Sequence, residues 1–259
     1  MLEFTILGSG SSGNCAYLET EHARVLVDAG FSGRQIEERL AGIGRSLRDV
    51  QAIFVTHEHG DHVCGLPVLA KRYGIPIHCN RLTAESLRPQ MPAFGGWQLF
   101  ETGAVVPHGD LQVETFSVPH DAYDPVGFVF RHAGGAIGFL TDLGYATKLV
   151  VERVRTVRAL ILEANHDLQM LQADTRRPWP VKQRILSRHG HLSNEAAAQL
   201  AEEIVTEGLE DLYLGHLSAD CNTPELAEKT VAAKLEAAGQ RHVRLHRTAP
   251  DRPCAPLRW

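Results

Sequence analysis

Residues 56–62 read Thr-His-Glu-His-Gly-Asp-His, which sets three imidazoles and a carboxylate directly after the apolar run Ala-Ile-Phe-Val. Alternate side chains of an extended segment share a face, so His57 and His59 point the same way. Asp61 and His62, at the start of the helix that follows, are placed to face a second ion beside the first. Imidazole with carboxylate suits Zn²⁺, and Mn²⁺ or Fe²⁺ accept the same donors. The stretch predicts a site for two divalent ions. A His-rich surface turn would not need to follow so apolar a strand.

Further ligand-type residues recur where strand-like runs end: Asp28 after Val-Leu-Val, His120 after Phe-Ser-Val-Pro, Asp142 after Gly-Phe-Leu-Thr and His216 after Leu-Tyr-Leu-Gly. A strand end is where a rigid scaffold delivers side chains to a site. Any one of these residues could be a turn or capping group, but their common placement points to one shared centre.

The elements that must position them follow from periodicity. Alternation in LEFTIL, AYLET and ARVLVDA predicts three short strands, the first two joined by the loop GSGSSGN. Ser32 caps a helix through Ile36 and Leu40. AIFVT reads as a strand buried on both faces, and Val63, Leu66, Leu69 and Ala70 give helical spacing between Asp61 and Tyr73. IPIHC, LQVETFSV, VGFVFRHA, AIGFLTD, ALILEA and DLYLGHL read as strands, with a helix near residues 147–156. Pro178 and Pro180 divide residues 165–190 into a helix, a loop and a second short helix. Two capped helices begin at Ser193 and at Thr223-Pro224. Strands then helices in both halves predict two sheets packed face to face with helices outside.

The 259 residues, 44% hydrophobic and without a linker-like stretch, predict one domain spanning 1–259. No apolar run is long enough for a membrane span and the N-terminus lacks a secretion signal, so the expected location is the cytoplasm and no membrane partner is expected. Five cysteines without a C-x-x-C pair suggest free thiols. A net charge of −5 excludes a protein that coats nucleic acid through a broad basic face. One local basic run exists: Arg176, Arg177, Lys182, Arg184 and Arg188, with His189 and His191, and no acid between Asp174 and Glu195. It is a candidate phosphate contact, or a solvated loop and helix face. Nothing in the sequence fixes the oligomeric state.

In order, Asp28, the THEHGDH run, His120, Asp142 and His216 resemble the five motifs of the metallo-β-lactamase superfamily over nearly the whole chain. The phrases GSGSSGN, GFSGRQIEERL, HDAYDPVGFVF, LEANHD, RHGHLSNE and GHLSADCNTPEL resemble, more narrowly, the bacterial YycJ family, also called WalJ or VicX. Cys221 stands where that family suggests Asn. The resemblance implies an αββα sandwich of two mixed sheets, one metal on His57, His59 and His120, another on Asp61, His62 and His216, and Asp142 bridging them. Asp28 would support the ligands from behind. No long insertion separates Asp142 from His216, so the lid of the β-CASP nucleases is absent.

The same resemblance implies a metal-dependent phosphodiesterase, a 5′-to-3′ DNA exonuclease in kind, in which a hydroxide shared by two ions attacks phosphorus. Asp61 would accept the water's proton. Glu163 would orient a histidine, and His166, His189 or His191 would bind phosphate or protonate the leaving oxygen, with Arg184 and Arg188 guiding the backbone. DNA rather than RNA comes from the resemblance, since no module here reads a 2′-hydroxyl. Thioester or ester hydrolysis of the glyoxalase II type is the enzymatic alternative. A metal-stabilised regulatory binding protein is the alternative of another class.

Overall fold

The computed structural model describes residues 1–259. Its first sheet has seven strands in the order β14-β1-β2-β3-β4-β5-β6: β1 (Glu3–Gly8), β2 (Cys15–Glu19), β3 (Arg24–Val27), β4 (Ala52–Phe54), β5 (Ile77–Asn80), β6 (Trp97–Phe100) and β14 (Leu257–Arg258). The second runs β13-β12-β11-β10-β9-β8-β7: β7 (Val105–His108), β8 (Leu111–Ser117), β9 (Val126–His132), β10 (Gly135–Leu140), β11 (Ala159–Glu163), β12 (Asp211–Gly215) and β13 (Arg244–Arg247). Each sheet is antiparallel in one half and parallel in the other, the parallel pairs being β3/β4/β5/β6 and β10/β11/β12/β13. The expected mixed sheets are present.

Between the sheets lies an aromatic-rich core. Phe4 meets Phe139 and Tyr213 edge to face at 5.5 Å, and Phe54 meets Phe128 and Phe130 at 5.9 and 5.4 Å. Such geometry suits the ring quadrupoles and locks the two sheets in register. A second cluster joins the first sheet to α1 (Gly33–Gly42), α3 (Leu66–Tyr73) and α4 (Arg81–Leu87). A third joins the second sheet to α5 (Lys148–Val154), α8 (Asn194–Ile204) and α9 (Pro224–Ala237). Helices therefore cover both outer faces. None is long and apolar enough to cross a membrane.

The caps read from sequence form: Ser32, Ser193 and Thr223 accept from the backbone N–H of Gln35, Ala196 and Leu226. Residues 165–190 hold α6 (Leu168–Ala173) and α7 (Trp179–Ile185), as the prolines predict. The helix expected from Asp61 to Tyr73 is two, α2 (Gly60–Val63) and α3, divided at Gly65. A Cβ at Gly65 would stand 2.3 Å from the carbonyl oxygen of Phe31, so the chain turns where only glycine fits.

Candidate metal centre

β3, β10 and β12 end at one edge of the two sheets, and the next residues supply the site. Asp28, Asp142 and His216 are the non-glycine residues with positive φ, at 58°, 56° and 55°. Side chains rarely adopt this left-handed conformation, which costs about 1–3 kcal/mol each. Strain shared by three ligand-type residues at three strand ends marks where stability yields to placement. β4 leads into Thr56 and His57, His59 caps α2, and Asp61 and His62 lie within it.

Ligand atoms of His57, His59 and His120 lie within 4.8 Å of one another, as do those of Asp61, His62 and His216, and of His57, His62 and Asp142. Asp142 occupies the middle. Its Oδ1 is 3.5 Å from Nε2 of His120 and 3.5 Å from Nε2 of His216, and its Oδ2 is 2.8 Å from Nε2 of His62. Asp28 sits behind: its carboxylate accepts from Nδ1 of His62 at 2.8 Å and from the Thr56 backbone N–H and hydroxyl at 2.8 and 2.9 Å. A carboxylate only accepts, so His62 carries a proton on Nδ1, which leaves Nε2, the nitrogen beside Asp142, as the one a metal would take.

Glu163 does the same work for two rings. Its Oε1 accepts from Nδ1 of His191 at 2.8 Å and of His216 at 2.7 Å, while Oε2 accepts from the backbone N–H of Leu143 and Leu192. The remaining support was not legible in the sequence. His120 donates from Nδ1 to the carbonyl of Gly190 at 3.0 Å, and Asn165 donates to the carbonyl of His216 at 2.8 Å. No residue type advertises a backbone acceptor.

Electrostatics show a pocket short of positive charge. Burial alone would raise Asp142, yet His216 and His62 hold it well below the carboxylate range. Burial would lower His216, but Asp142, Asp61 and Glu163 push it up to about 10, and Asp142 with Asp28 likewise raise His62. Burial lowers His57, whose Nε2 is buried without a hydrogen-bond partner. An orphaned imidazole nitrogen among clustered carboxylates is what a divalent cation would satisfy. The donor set of these residues fits divalent metal.

Residues 23–217 match the β-lactamase superfamily domain. The chain is 38% identical to the exodeoxyribonuclease YycJ of Bacillus anthracis over 97% of each protein, and 39% identical to the exodeoxyribonuclease WalJ of Streptococcus pneumoniae over 90% of this chain and 88% of that one. This chain belongs to the YycJ/WalJ family of the metallo-β-lactamase superfamily. The fold matches the crystal structure of the metallo-β-lactamase fold protein YhfI from Bacillus subtilis, with a TM-score of 0.75 at 16% identity and 98% of each chain covered.

The centre of this YycJ/WalJ-family protein opens into a cavity of about 360 Å³ lined by polar groups, with Ile185 as its hydrophobic member. Arg177, Arg184 and His191 line it, together with Ser11, Asn165 and Ser218. The last three carry no distinguishing signal in the sequence, because small polar side chains are common in any loop. His166 does not line it: the ring is 1% exposed and both its nitrogens lack partners. His189 is exposed and outside the lining, as is Arg188, whose guanidinium lies 4.8 Å over the ring of Tyr145.

The basic run is also less basic in space than in sequence. Arg176 and Arg177 pair with Asp174 and Asp220, Arg184 pairs with Asp121, and Lys182 is buried against the carbonyl of Gln172. Acids from other segments meet the cations that the linear sequence leaves alone.

Proposed function

We propose that this chain is a binuclear metal-dependent phosphodiesterase that trims DNA from an end. The observation that carries it is the position of Asp142, whose Oδ1 stands equally far, 3.5 Å, from Nε2 of His120 and of His216. Such a carboxylate suits two ions, one on His57, His59 and His120 and the other on Asp61, His62 and His216, with Zn²⁺ the first candidate and Mn²⁺ or Fe²⁺ accepting the same donors. Ions held by these residues would supply an activated water near neutral pH and would neutralise charge on the phosphate.

The chain's own residues then divide the remaining work. Asp61, partly exposed at the cavity, accepts the proton of the attacking water. His191 is the acid for the leaving oxygen: it lines the cavity, and although burial opposes its charge, Glu163 favours its protonated form. Burial withholds His166, and position withholds His189, from that role. Glu163 positions His191 and His216 without touching substrate. Arg184 and Arg177, cavity-lining and already oriented by carboxylates, bind non-bridging phosphate oxygens.

DNA as the substrate is supported by the similarity to the exodeoxyribonucleases YycJ and WalJ, and the 5′-to-3′ direction comes only from the family resemblance. We take residues 1–259 as one catalytic domain, and its unpaired cysteines suit the cytoplasm. Purified protein assayed on bis-p-nitrophenyl phosphate, a thioester and DNA blocked at either end separates the chemistries. Phosphodiester cleavage with about two equivalents of metal is expected. Thioester hydrolysis without phosphodiester cleavage would instead assign a glyoxalase II-like activity, and full activity at one equivalent would remove the binuclear mechanism.

A further inference from the structure

We propose that Tyr123 and Tyr145 form a base-stacking rim beside the metal centre, so that the DNA strand being cut arrives with its terminal bases unpaired. The inference rests on the phosphodiester function above. Each tyrosine follows a residue of the centre by three positions, Tyr123 after His120 and Tyr145 after Asp142. Both rings are solvent-facing, at 70% and 36% exposure.

Their backbones are nonetheless held. The Tyr123 N–H donates to Glu58, between His57 and His59, at 2.9 Å, and the Gly144 N–H donates to the carbonyl of Pro119 at 2.9 Å, tying the two loops together. An exposed ring on a fixed backbone loses little freedom when another ring stacks on it. Arg188 adds the charge. Its guanidinium lies over Tyr145 and has no carboxylate partner, unlike Arg176, Arg177 and Arg184. An aromatic face under an uncompensated cation, on the loop that follows Asp142, matches a nucleobase with its phosphate better than an apolar protein surface. In a duplex interior the base faces are already stacked on one another, so only unpaired terminal nucleotides can use this rim.

Fluorescence anisotropy tests this with the metal-loaded protein and single strands whose terminal linkages are phosphorothioates, carrying either natural or abasic terminal nucleotides. Wild type is expected to bind the abasic strand roughly tenfold more weakly. The Tyr123→Leu/Tyr145→Leu variant should bind both strands alike, at the weaker level, and Tyr123→Phe/Tyr145→Phe should restore the difference. Equal binding of the two strands by wild type, or discrimination surviving in the leucine variant, would overturn the rim. Cleavage of an end-labelled duplex is followed in parallel. DNA that is cut without base discrimination removes the rim alone, whereas DNA neither cut nor bound removes the nuclease function and the rim with it.

Discussion

His62 donates from Nδ1 to Asp28 Oδ2 at 2.8 Å, and both side chains are buried at the sheet edge. The pairing assigns the proton to the outer nitrogen and leaves Nε2 facing Asp142. Because Asp28 also accepts from the Thr56 backbone and hydroxyl, one carboxylate fixes both the THEHGDH loop and a ring within it.

Asp28→Asn keeps the shape but offers an amide where the imidazole needs an acceptor. Metal affinity, measured by chelator competition, is expected to fall about 10–100-fold while the fold is retained. Unchanged affinity would mean that the tautomer is set elsewhere.

Glu163 gives a pH signature in the metal-free protein. Burial would raise its carboxyl, but His191 and His216 lower it from 4.5 to about 2. A depressed acid contributes stability that is full above its unfolded value and lost as pH falls through the folded one. Its contribution is therefore present above pH 4.5 and disappears toward pH 2. Glu163→Gln should flatten that part of the stability curve measured by urea unfolding. His216 runs the other way: raised to about 10 by Asp142, Asp61 and Glu163 against burial, it stabilises fully below 6.5 and less as pH climbs toward 10.

If His191 protonates the leaving oxygen, its loss must depend on the leaving group. His191→Ala is expected to slow DNA cleavage by about 10²–10⁴-fold, because a nucleoside alkoxide leaves poorly without a proton. Release of p-nitrophenolate, which needs little assistance, should slow far less. Equal slowing in both assays would assign His191 to positioning instead.

Much of this centre is readable from residue order because its donors are chemically distinctive and sit at strand ends. His57, His59, Asp61 and His62 share one short segment, and Asp28, Asp142 and His216 each follow an apolar run. What escapes is whatever depends on distant partners. The acids Asp121 and Asp220 neutralise Arg184, Arg176 and Arg177 only after folding, and the carbonyl of Gly190 orients His120 through a group every residue has. Edge strands β6, β7, β13 and β14 are short and partly exposed, so they show no strong alternation to read. The break between α2 and α3 depends on the Phe31 carbonyl, which helical periodicity does not register.

The central claim is that cleavage of DNA belongs to this cluster of histidines and aspartates. End-labelled duplex should be incubated with the purified protein, the chelated protein, the chelated protein resupplied with Zn²⁺ or Mn²⁺, and His59→Ala. Stepwise shortening of the labelled strand by the purified and resupplied protein, with loss of activity in the chelated protein and in His59→Ala, is the expected result. Shortening that persists in His59→Ala, or that is indifferent to chelation, would contradict it.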